Sequence, residues 1–600
     1  MNLRAALLLA CVLALLPVLA VAAGNDSAAG QLPLAYQIEP GAKPWTGRLR
    51  AVGWQASLAG TGDDRQPLSG LWEAGALLDA RQPASRRIYT SLPAAMLQPE
   101  RLVALQWPGL DDSMRERLDV QQLAWLRGDN ANPALRPRET RLASARGARV
   151  LVVAPPAWQP GQPGHAPFRV RHAQRPHMAW LGTVDGQLHG FNAVTGEERA
   201  AYLPRTLLPL AAAMAAESKS PVAPNPCPRP ESTDAVVGGA WRTLLLCAFR
   251  GEAEDIAGVF ALDITEPDAA LPLRLLWEQA ATPALPLAGI GPVRAAALGD
   301  GQAQRWHAIA LLAPPAEPGL ALLPLDTPAT PWRMLRVAKQ GCDGEPSTAA
   351  LRAVTVAMAS DGTAMAAYAT DAAGQLWRFA LGDALRQQPA PPATCLHRLR
   401  GGAGLAEPAP PVVLGTPAQP LVVYAAGNEL AAVADGTHAA RQPARIEVRA
   451  QGAGFVLQAA PGQAQAVGWH LVLPDADEQV ERLSLASPGY LVFVTRLPDG
   501  RQRTYLVLGA TGESVGRKTD GAPVLPFVTG QLGEDPPTLT REALPGMTPQ
   551  AGSAGREVHA LSLWAVENGV ATRLAHVVAS RRTGRLAWRE LAGPAKETAP

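Results

Sequence analysis

The fold is first indicated by residues 180–204, which read WLGTVDGQLHGFNAVTGEERAAYLP. It predicts a strand, a turn at Asp185-Gly186, a second strand with alternating large side chains, and a turn around Gly196. The Gly, Gln, Leu and Phe of residues 186–191 recur at 374–379, and the Thr-Gly-Glu of the second turn recurs at 511–513. A repeated strand–turn–strand unit is typical of a β-propeller blade, and the spacing from Gly186 to Gly374 corresponds to about four blades of ~45 residues.

The sequence around this stretch predicts an all-β fold. From about residue 145 onward, short apolar runs such as 259–264 and 490–495 end at Gly, Pro and Asp, and long helical periodicity is scarce. Residues 146–590 are therefore interpreted as the propeller. Residues 23–145 lack the repeat, contain one helical stretch at 113–126, and predict a smaller N-terminal domain or lead-in. Residues 591–600 are expected to form a frayed tail.

Composition and charge exclude several classes of protein. The 600 residues carry 56 Gly and 57 Pro, a content that a turn-rich fold accommodates. With 47% hydrophobic residues, 18% charged residues and a net charge of +2, the chain is neither an acidic disordered protein nor a basic binder of nucleic acid.

The N-terminus has the pattern of a secretory signal peptide over residues 1–22. A cationic start precedes an apolar stretch, and Ala20-Val21-Ala22 forms a small-residue cleavage site before polar residues. A retained membrane anchor is the alternative, but it needs about 20 apolar residues. A lipoprotein is disfavoured because Cys11 lies inside the apolar stretch. We expect an exported protein without a stable membrane span.

Four cysteines remain after the signal peptide, and an even number in an exported chain suggests two disulfides. Three connectivities are open. The hypothesis taken from nearness in sequence pairs Cys227 with Cys247 and Cys342 with Cys395. A metal site is the weaker interpretation because the chain has no CxxC or HExxH motif.

Residues 180–204 resemble the signature blade of the PilC/PilY family of type IV pilus tip-associated proteins, whose propeller opens with a run similar to GANDGMLHAFDAATGEE. Further similar segments follow in the family's order: GAWRT at 239–243, GVFALDIT at 258–265 and YATDAAGQLWRF at 368–379. Upstream, WTGRL at 45–49, RRIYT at 86–90 and LRGD at 126–129 resemble three more family elements. The signature residues carried by these matches are Asp185, Gly186, Leu188, His189, Phe191, Gly196, Trp241, Arg242, Asp263, Trp377, Arg378 and Phe379.

The resemblance implies a divergent, short family member with a quinoprotein-like propeller of seven irregular blades. It further implies work with minor pilins at a type IV pilus tip, in the periplasm or on the outer surface of a Gram-negative bacterium, with adhesion to a surface or host ligand as a related role. Members with a long N-terminal half usually carry a von Willebrand A-like domain. This chain has no DxSxS motif for such a domain, so functions of that half are not carried over.

The calcium loop of the family is degenerate here. Related members carry DxDxDGxxD before the WRF strand, and its alternating carboxylates supply the oxygen ligands that Ca²⁺ prefers. The equivalent residues 357–365 read AMASDGTAM, so only Asp361 and Gly362 remain. We expect no calcium, no other metal and no cofactor, with Asp361-Gly362 kept as a turn.

Other candidate residues have simpler interpretations. Arg127-Gly128-Asp129 spells an integrin-type tripeptide but coincides with a family framework element. His189 is interpreted as a satisfied core histidine, and the carboxylates of Asp185 and Asp371 as caps of turn amides.

Two other functions stay open. A quinone-cofactor dehydrogenase would share the fold, but the chain has no CxxCH haem motif, vicinal cysteines or paired catalytic carboxylates. A periplasmic propeller scaffold unrelated to pili is the third interpretation. The function expected is a non-enzymatic one.

Overall fold

Seven sheets of four to six strands form the blades of a propeller in the computed structural model of this chain. The structure describes residues 32–582 apart from 42, 44, 55–64, 95–99, 158, 160–161, 217–221, 252–255, 300–303, 315, 327–331, 383, 388, 402–407, 437–442, 464–465, 488, 520–521, 527–530, 534–537, 544–555 and 568. The predicted signal peptide and the predicted tail lie outside the described residues.

The first part of the described chain supplies strands to two blades. Three antiparallel strands come first: β1 (Ala35–Pro40), β2 (Gly47–Trp54) and β3 (Arg65–Glu73). Then come α1 (Ala74–Asp79), a 3₁₀ turn (Pro83–Ser85), β4 (Ile88–Leu92), β5 (Arg101–Ala104) and a second 3₁₀ turn (Trp107–Gly109). The helix expected over 113–126 is two helices, α2 (Asp112–Arg115) and α3 (Val120–Leu126), because Asp119 begins α3 with a capping box.

Four blades follow in chain order. Blade 1 holds β6 (Leu151–Val153), then α4 (His165–Arg171), β7 (Met178–Gly182), β8 (Leu188–Asn192) and β9 (Glu198–Tyr202), with β4 parallel to β9; α5 (Leu208–Ala213) follows. Blade 2 is β10 (Glu231–Val237), β11 (Ala240–Arg250), β12 (Ala257–Asp263) and β13 (Arg274–Ala280). Blade 3 is β14 (Arg294–Gly299), β15 (Gln304–Leu311), β16 (Gly319–Pro324) and β17 (Arg333–Arg336). Blade 4 is β18 (Leu351–Met358), β19 (Ala364–Asp371), β20 (Gln375–Ala380) and β21 (Thr394–Arg398).

The last blades carry extra hairpins. Blade 5 holds β22 (Val412–Thr416), β23 (Gln419–Ala426), β24 (Glu429–Ala434), the hairpin β25 (Ala444–Gln451) and β26 (Gly454–Ala459), and β27 (Trp469–Val472). Blade 6 is β28 (Gln479–Ser487), β29 (Tyr490–Arg496), β30 (Gln502–Leu508) and β33 (Gln531–Gly533). Between β30 and β33, the chain forms the hairpin β31 (Gly516–Thr519) and β32 (Ala522–Pro526), which is a separate two-stranded sheet. The chain then forms β34 (Thr538–Ala543), β35 (Arg556–Glu567) and β36 (Val570–Arg582).

The seventh blade joins the two ends of the chain. Its strand order is β1-β2-β3-β36-β35-β34, and Gln66 of β3 pairs with Ala571 of β36. A sheet built from both chain ends holds the ring closed, because opening the ring requires breaking this strand pairing. The all-β, seven-bladed propeller expected from the sequence is thus confirmed. The boundary expected at residue 145 stays a prediction, and strands on either side of it share two sheets.

The apolar core lies in layers between neighbouring blades. All five residues of β7 and all five of β8 are buried, because both faces of these strands contact protein. Trp277 of blade 2 and Trp306 of blade 3 belong to one buried cluster. Ile309 of blade 3 and Trp377 of blade 4 belong to another.

The repeated segments occupy equivalent positions in the propeller. Gly186 precedes β8, and Gly374 precedes β20; each of these is the third strand of its blade. The two blades are three steps apart in the ring, so the estimate of four blades was wrong. The blades here are longer than ~45 residues because loops and added elements separate their strands, and lengthening a loop costs little free energy.

One disulfide links blade 2 to the loop before it, and a second links blade 4 to the loop before it. Cys227, in the loop before β10, bonds to Cys247 in β11, and Cys342, in the loop before β18, bonds to Cys395 in β21. This is the pairing hypothesised from nearness in the sequence.

Candidate functional site

The first signature residues form a buried turn between β7 and β8. Gly186 has a φ of +79°, and a Cβ there would lie 2.8 Å from the Leu203 side chain. The Asp185 carboxylate accepts a hydrogen bond from the Thr183 hydroxyl at 2.6 Å and pairs with the Arg138 guanidinium at 2.9 Å. The Arg138–Asp185 pair is fully buried. Asp185 therefore fixes the turn and ties the segment before blade 1 to it.

A second buried ion pair lies beside the first. Arg86, just before β4, donates from Nε and Nη2 to the two carboxylate oxygens of Glu198 at 2.8 Å each. The Nδ1 atom of His189 lies 2.8 Å from Glu198 Oε1, and its Nε2 atom lies 3.1 Å from the Thr183 hydroxyl. Gln187 accepts from Arg86 at 3.3 Å and donates to Asp185 at 3.1 Å, which joins the two ion pairs into one network.

The carboxylates of this network are held in their charged form. Burial alone would raise the pKa of Glu198, but the Arg86 guanidinium more than offsets it, so the pKa lies well below its usual range. Burial likewise opposes ionisation of Asp185, yet Arg138 and then His189 lower the pKa of that carboxyl. Paired and buried in this way, both groups act as structural charges.

The Arg-Gly-Asp tripeptide contributes to the same framework. The Arg127 guanidinium is buried and donates to the backbone carbonyls of Leu105, Pro83, Ala84 and Arg86 at 2.8–3.1 Å. A buried arginine with these partners is not presented to a receptor, so the structure supports the framework interpretation.

A second group of signature residues lies on blade 2. Arg242 pairs with Asp263 at 2.6 Å, and both line a cavity of about 230 Å³ beside the end of α4. Trp241 lines the same cavity, and its ring lies 5.9 Å from that of Trp306 on blade 3. These residues brace blade 2 against its neighbours.

The third group connects blades 4 and 5. The Trp377 indole donates to Asp371 at 2.8 Å within blade 4. Arg378 donates at 2.6 Å to Asp435, which follows the third strand of blade 5, and Tyr368 donates to the same carboxylate at 2.7 Å. Phe379, like Leu188 and Phe191 of the first group, is fully buried.

The repeated Thr-Gly-Glu turns each pack on a tryptophan of the preceding blade. Gly196 and Gly512 both have a φ of +72°, and a Cβ at either position would lie 2.6 Å from the ring of Trp72 or Trp469, respectively. Each indole N–H donates to a backbone carbonyl three residues before its glycine, at 3.0 and 2.9 Å. The Thr-Gly-Glu repeat therefore forms the same kind of contact between neighbouring blades at two places in the ring.

The degenerate calcium loop is the turn between β18 and β19. Asp361 Oδ1 accepts hydrogen bonds from the backbone and hydroxyl of Thr363 at 2.9 and 2.6 Å, and Gly362 has a φ of +80°. These hydrogen bonds hold the pKa of the exposed Asp361 carboxyl below its usual value. Among the described residues, no group of three or more His, Cys, Asp and Glu side chains is placed to hold a metal ion. The absence of bound calcium stays a prediction.

A cavity of about 610 Å³ lies where the first strands of blades 2 to 5 meet. Glu231, at the start of β10, pairs in this region with Arg294 of β14 at 2.6 Å. On blade 4, Met358 and Gly362 line the cavity, and the Gln162 side chain donates to the Gly362 carbonyl at 2.9 Å. The cavity is a mixed apolar and polar space with its charges paired.

Comparisons with known proteins agree with this architecture. No protein-family model matches the chain. It is 28% identical over 259 residues to the type IV pilus biogenesis factor PilY1 of Pseudomonas aeruginosa strain UCBPP-PA14. This alignment covers 39% of this chain and 21% of that protein. It is 27% identical over 174 residues to the PilY1 homolog of Xylella fastidiosa strain Temecula1, and this alignment covers 27% of this chain and 14% of the homolog. The crystal structure of the P. aeruginosa PilY1 C-terminal domain superposes with a TM-score of 0.50 at 20% identity, covering 71% of this chain and 99% of that domain.

The chain is thus similar to PilY1 proteins in part of its sequence, and it shares the propeller fold of the PilY1 C-terminal domain. It aligns with well under half the length of these curated relatives. In the part of it that the structure describes, no helix has both the length and the apolar character needed to cross a bilayer.

Sequence reasoning missed the partners of the signature residues. Arg86 and Arg127 stood in matched motifs, but Glu198 and Arg138 were not singled out. Glu278, fully buried in β13, was also missed; it accepts hydrogen bonds from the side chains of Ser91, Tyr202 and Thr206 at 2.7–2.8 Å. A glutamate inside an apolar strand was the available signal, since buried carboxylates need partners.

Proposed function

We propose that this chain is an exported, non-enzymatic protein that assembles or caps a type IV pilus by binding minor pilins. The observation that supports the proposal is the similarity to type IV pilus biogenesis factors named PilY1, together with the propeller of the PilY1 C-terminal domain. A closed ring of seven blades is a rigid scaffold whose loops and outer strands can dock partners through loop contacts or strand addition.

The chemistry of the signature residues favours a scaffold over an enzyme. Asp185, Glu198 and His189 are buried and bonded to one another or to arginines, which leaves them no contact with a substrate. Catalytic groups need access to the reacting atoms. Adhesion through the Arg-Gly-Asp tripeptide is not part of the proposal, because Arg127 is buried.

The test is a clean deletion of the gene in its own bacterium, with surface pilin sheared off and quantified. We expect pilin to be lost and then restored by the wild-type chain and by Asp129→Ala, which alters the exposed end of the tripeptide. Normal piliation in the deletion strain, with the protein exported in the wild type, would contradict the proposal.

Copurification identifies the partners in the same strains. Minor pilins should be recovered with an affinity-tagged chain. Recovery of β-barrel assembly proteins without pilins would favour the unrelated periplasmic scaffold.

A further inference from the structure

A cavity of about 880 Å³ near the closing blade concentrates positive charge. It is lined by β1, by the segment that leads into β6, and by β28 with the adjoining ends of β29 and β30. These elements bring together residues from the start, the first quarter and the last quarter of the chain. The charged side chains along its wall are those of Glu39, Arg149, Arg229, Glu481, Arg482 and Arg496.

The two carboxylates of the cavity are each engaged by another arginine. Glu481 forms a two-pronged ion pair with Arg496, with contacts of 2.9–3.1 Å. Glu39 pairs with Arg50 at 3.0 Å, and Arg50 lies outside the lining of the cavity. Both pairs are partly exposed to solvent.

Among the residues that the structure describes, neither Arg149 nor Arg482 forms an ion pair of this kind, although both line the cavity. Arg149 donates to the backbone carbonyl of Glu481 at 3.0 Å, rather than to its carboxylate. Within the described part of the chain, the Nε atom of Arg482 is buried and has no hydrogen-bond partner. A buried donor without a partner costs free energy that a ligand can recover.

The arginines also repel one another. Burial, and then the like charges of Arg229 and Arg482, lower the pKa of Arg149 far below that of an ordinary guanidinium. Burial lowers the pKa of Arg482 too; the Glu481 carboxylate opposes this shift, and Arg229 adds to it. A bound anion would relieve this repulsion, and the planar guanidinium matches the two oxygens of a carboxylate or phosphate.

We infer that this cavity is a binding site for an oxyanion, a carboxylate or phosphate group held between Arg149 and Arg482. The site is independent of the proposed role at the pilus, and its test uses the purified chain alone.

The test is isothermal titration calorimetry with two probes, inorganic phosphate and citrate, at an ionic strength kept constant with sodium chloride. The wild type should bind at least one probe. Phosphate alone would identify a phosphate ligand, citrate alone a carboxylate ligand, and both together a general oxyanion site. Arg482→Gln should weaken binding about tenfold or more, since it removes charge-assisted hydrogen bonds to the anion.

The matched control is Arg449→Gln on β25. Arg449 is 62% exposed and pairs with Glu447 at the surface, so its loss should leave the affinity unchanged. Melting temperatures without probe keep the test informative if one variant folds poorly. Because burial disfavours the charged form of Arg482, Arg482→Gln should melt no lower than the wild type, and Arg149→Gln serves as the second variant.

Three binding results would overturn the inference. They are no binding of either probe by the wild type, equal affinity in the wild type and both cavity variants, or equal weakening in the Arg449→Gln control. A lower melting temperature of Arg482→Gln with affinity retained would also reject it, because the arginine would then serve packing alone.

Discussion

Replacing Arg86 with methionine tests whether the buried signature network holds the propeller together. Methionine keeps much of the length and apolar stem of arginine but none of its donors. The change removes both bonds to Glu198, the bond to the Arg127 carbonyl at 3.0 Å and the bond to Gln187 at 3.3 Å.

The expected cost follows from what remains. Glu198 is 1% exposed, so without Arg86 its charge stays buried with His189 as the nearest partner. Removing one member of a buried pair typically costs about 3–5 kcal/mol of unfolding free energy, because the other charge is left uncompensated. The double variant Arg86→Met/Glu198→Gln leaves no such charge, so it should be more stable than Arg86→Met by about 2 kcal/mol.

Equilibrium urea unfolding, followed by tryptophan fluorescence, measures these differences from the shift in midpoint. The control is Arg48→Met. Arg48 is 49% exposed and lies 3.4 Å from Glu73, so its loss should cost under about 1 kcal/mol. A cost for Arg86→Met no larger than that of the control, or costs that simply add in the double variant, would refute the reasoning.

Three further predictions concern acid, turns and calcium. The folded pKa of Glu198 lies well below its unfolded value, so its contribution to stability is fully present above the unfolded value and is lost progressively as the pH falls toward the folded pKa. The unfolding free energies of the wild type and Glu198→Gln should therefore converge steadily as the pH falls below about 5, and a constant gap in urea titrations would contradict this. Gly512→Ala should lower the unfolding free energy by more than the ~1–2 kcal/mol of a left-handed alanine, because its Cβ would lie 2.6 Å from Trp469. The control Gly452→Ala, whose Cβ would meet no described atom within 4 Å, should cost only that amount. Equal urea midpoints of the two variants would show that the tryptophan contact is unimportant. Millimolar Ca²⁺ should leave the melting temperatures of the wild type and Asp361→Ala unchanged in calorimetry. A rise in the melting temperature of the wild type alone would show that the loop binds calcium.

Local sequence was enough to predict the strands, the turns and the class of fold. Turn chemistry is written in adjacent residues: Asp185-Gly186 needs a left-handed glycine, and the alternation of apolar residues marks strands. The helical stretch at 113–126 was found for the same reason, but its division was missed because Asp119 acts as a cap only when the chain bends there.

Contacts between distant segments were decided by the tertiary structure. The pairing of Gln66 with Ala571 closes the ring, and the pairing of Arg86 with Glu198 locks blade 1, yet neither leaves a signal in neighbouring residues. Strand pairing uses backbone groups that every residue carries, and an ion pair needs only two opposite charges, so sequence alone offers many equivalent partners. The arginine cavity arises in the same way: Arg149 and Arg482 are ordinary surface-type residues in the sequence, and only the closure of the propeller brings them together, half-buried, in one cavity.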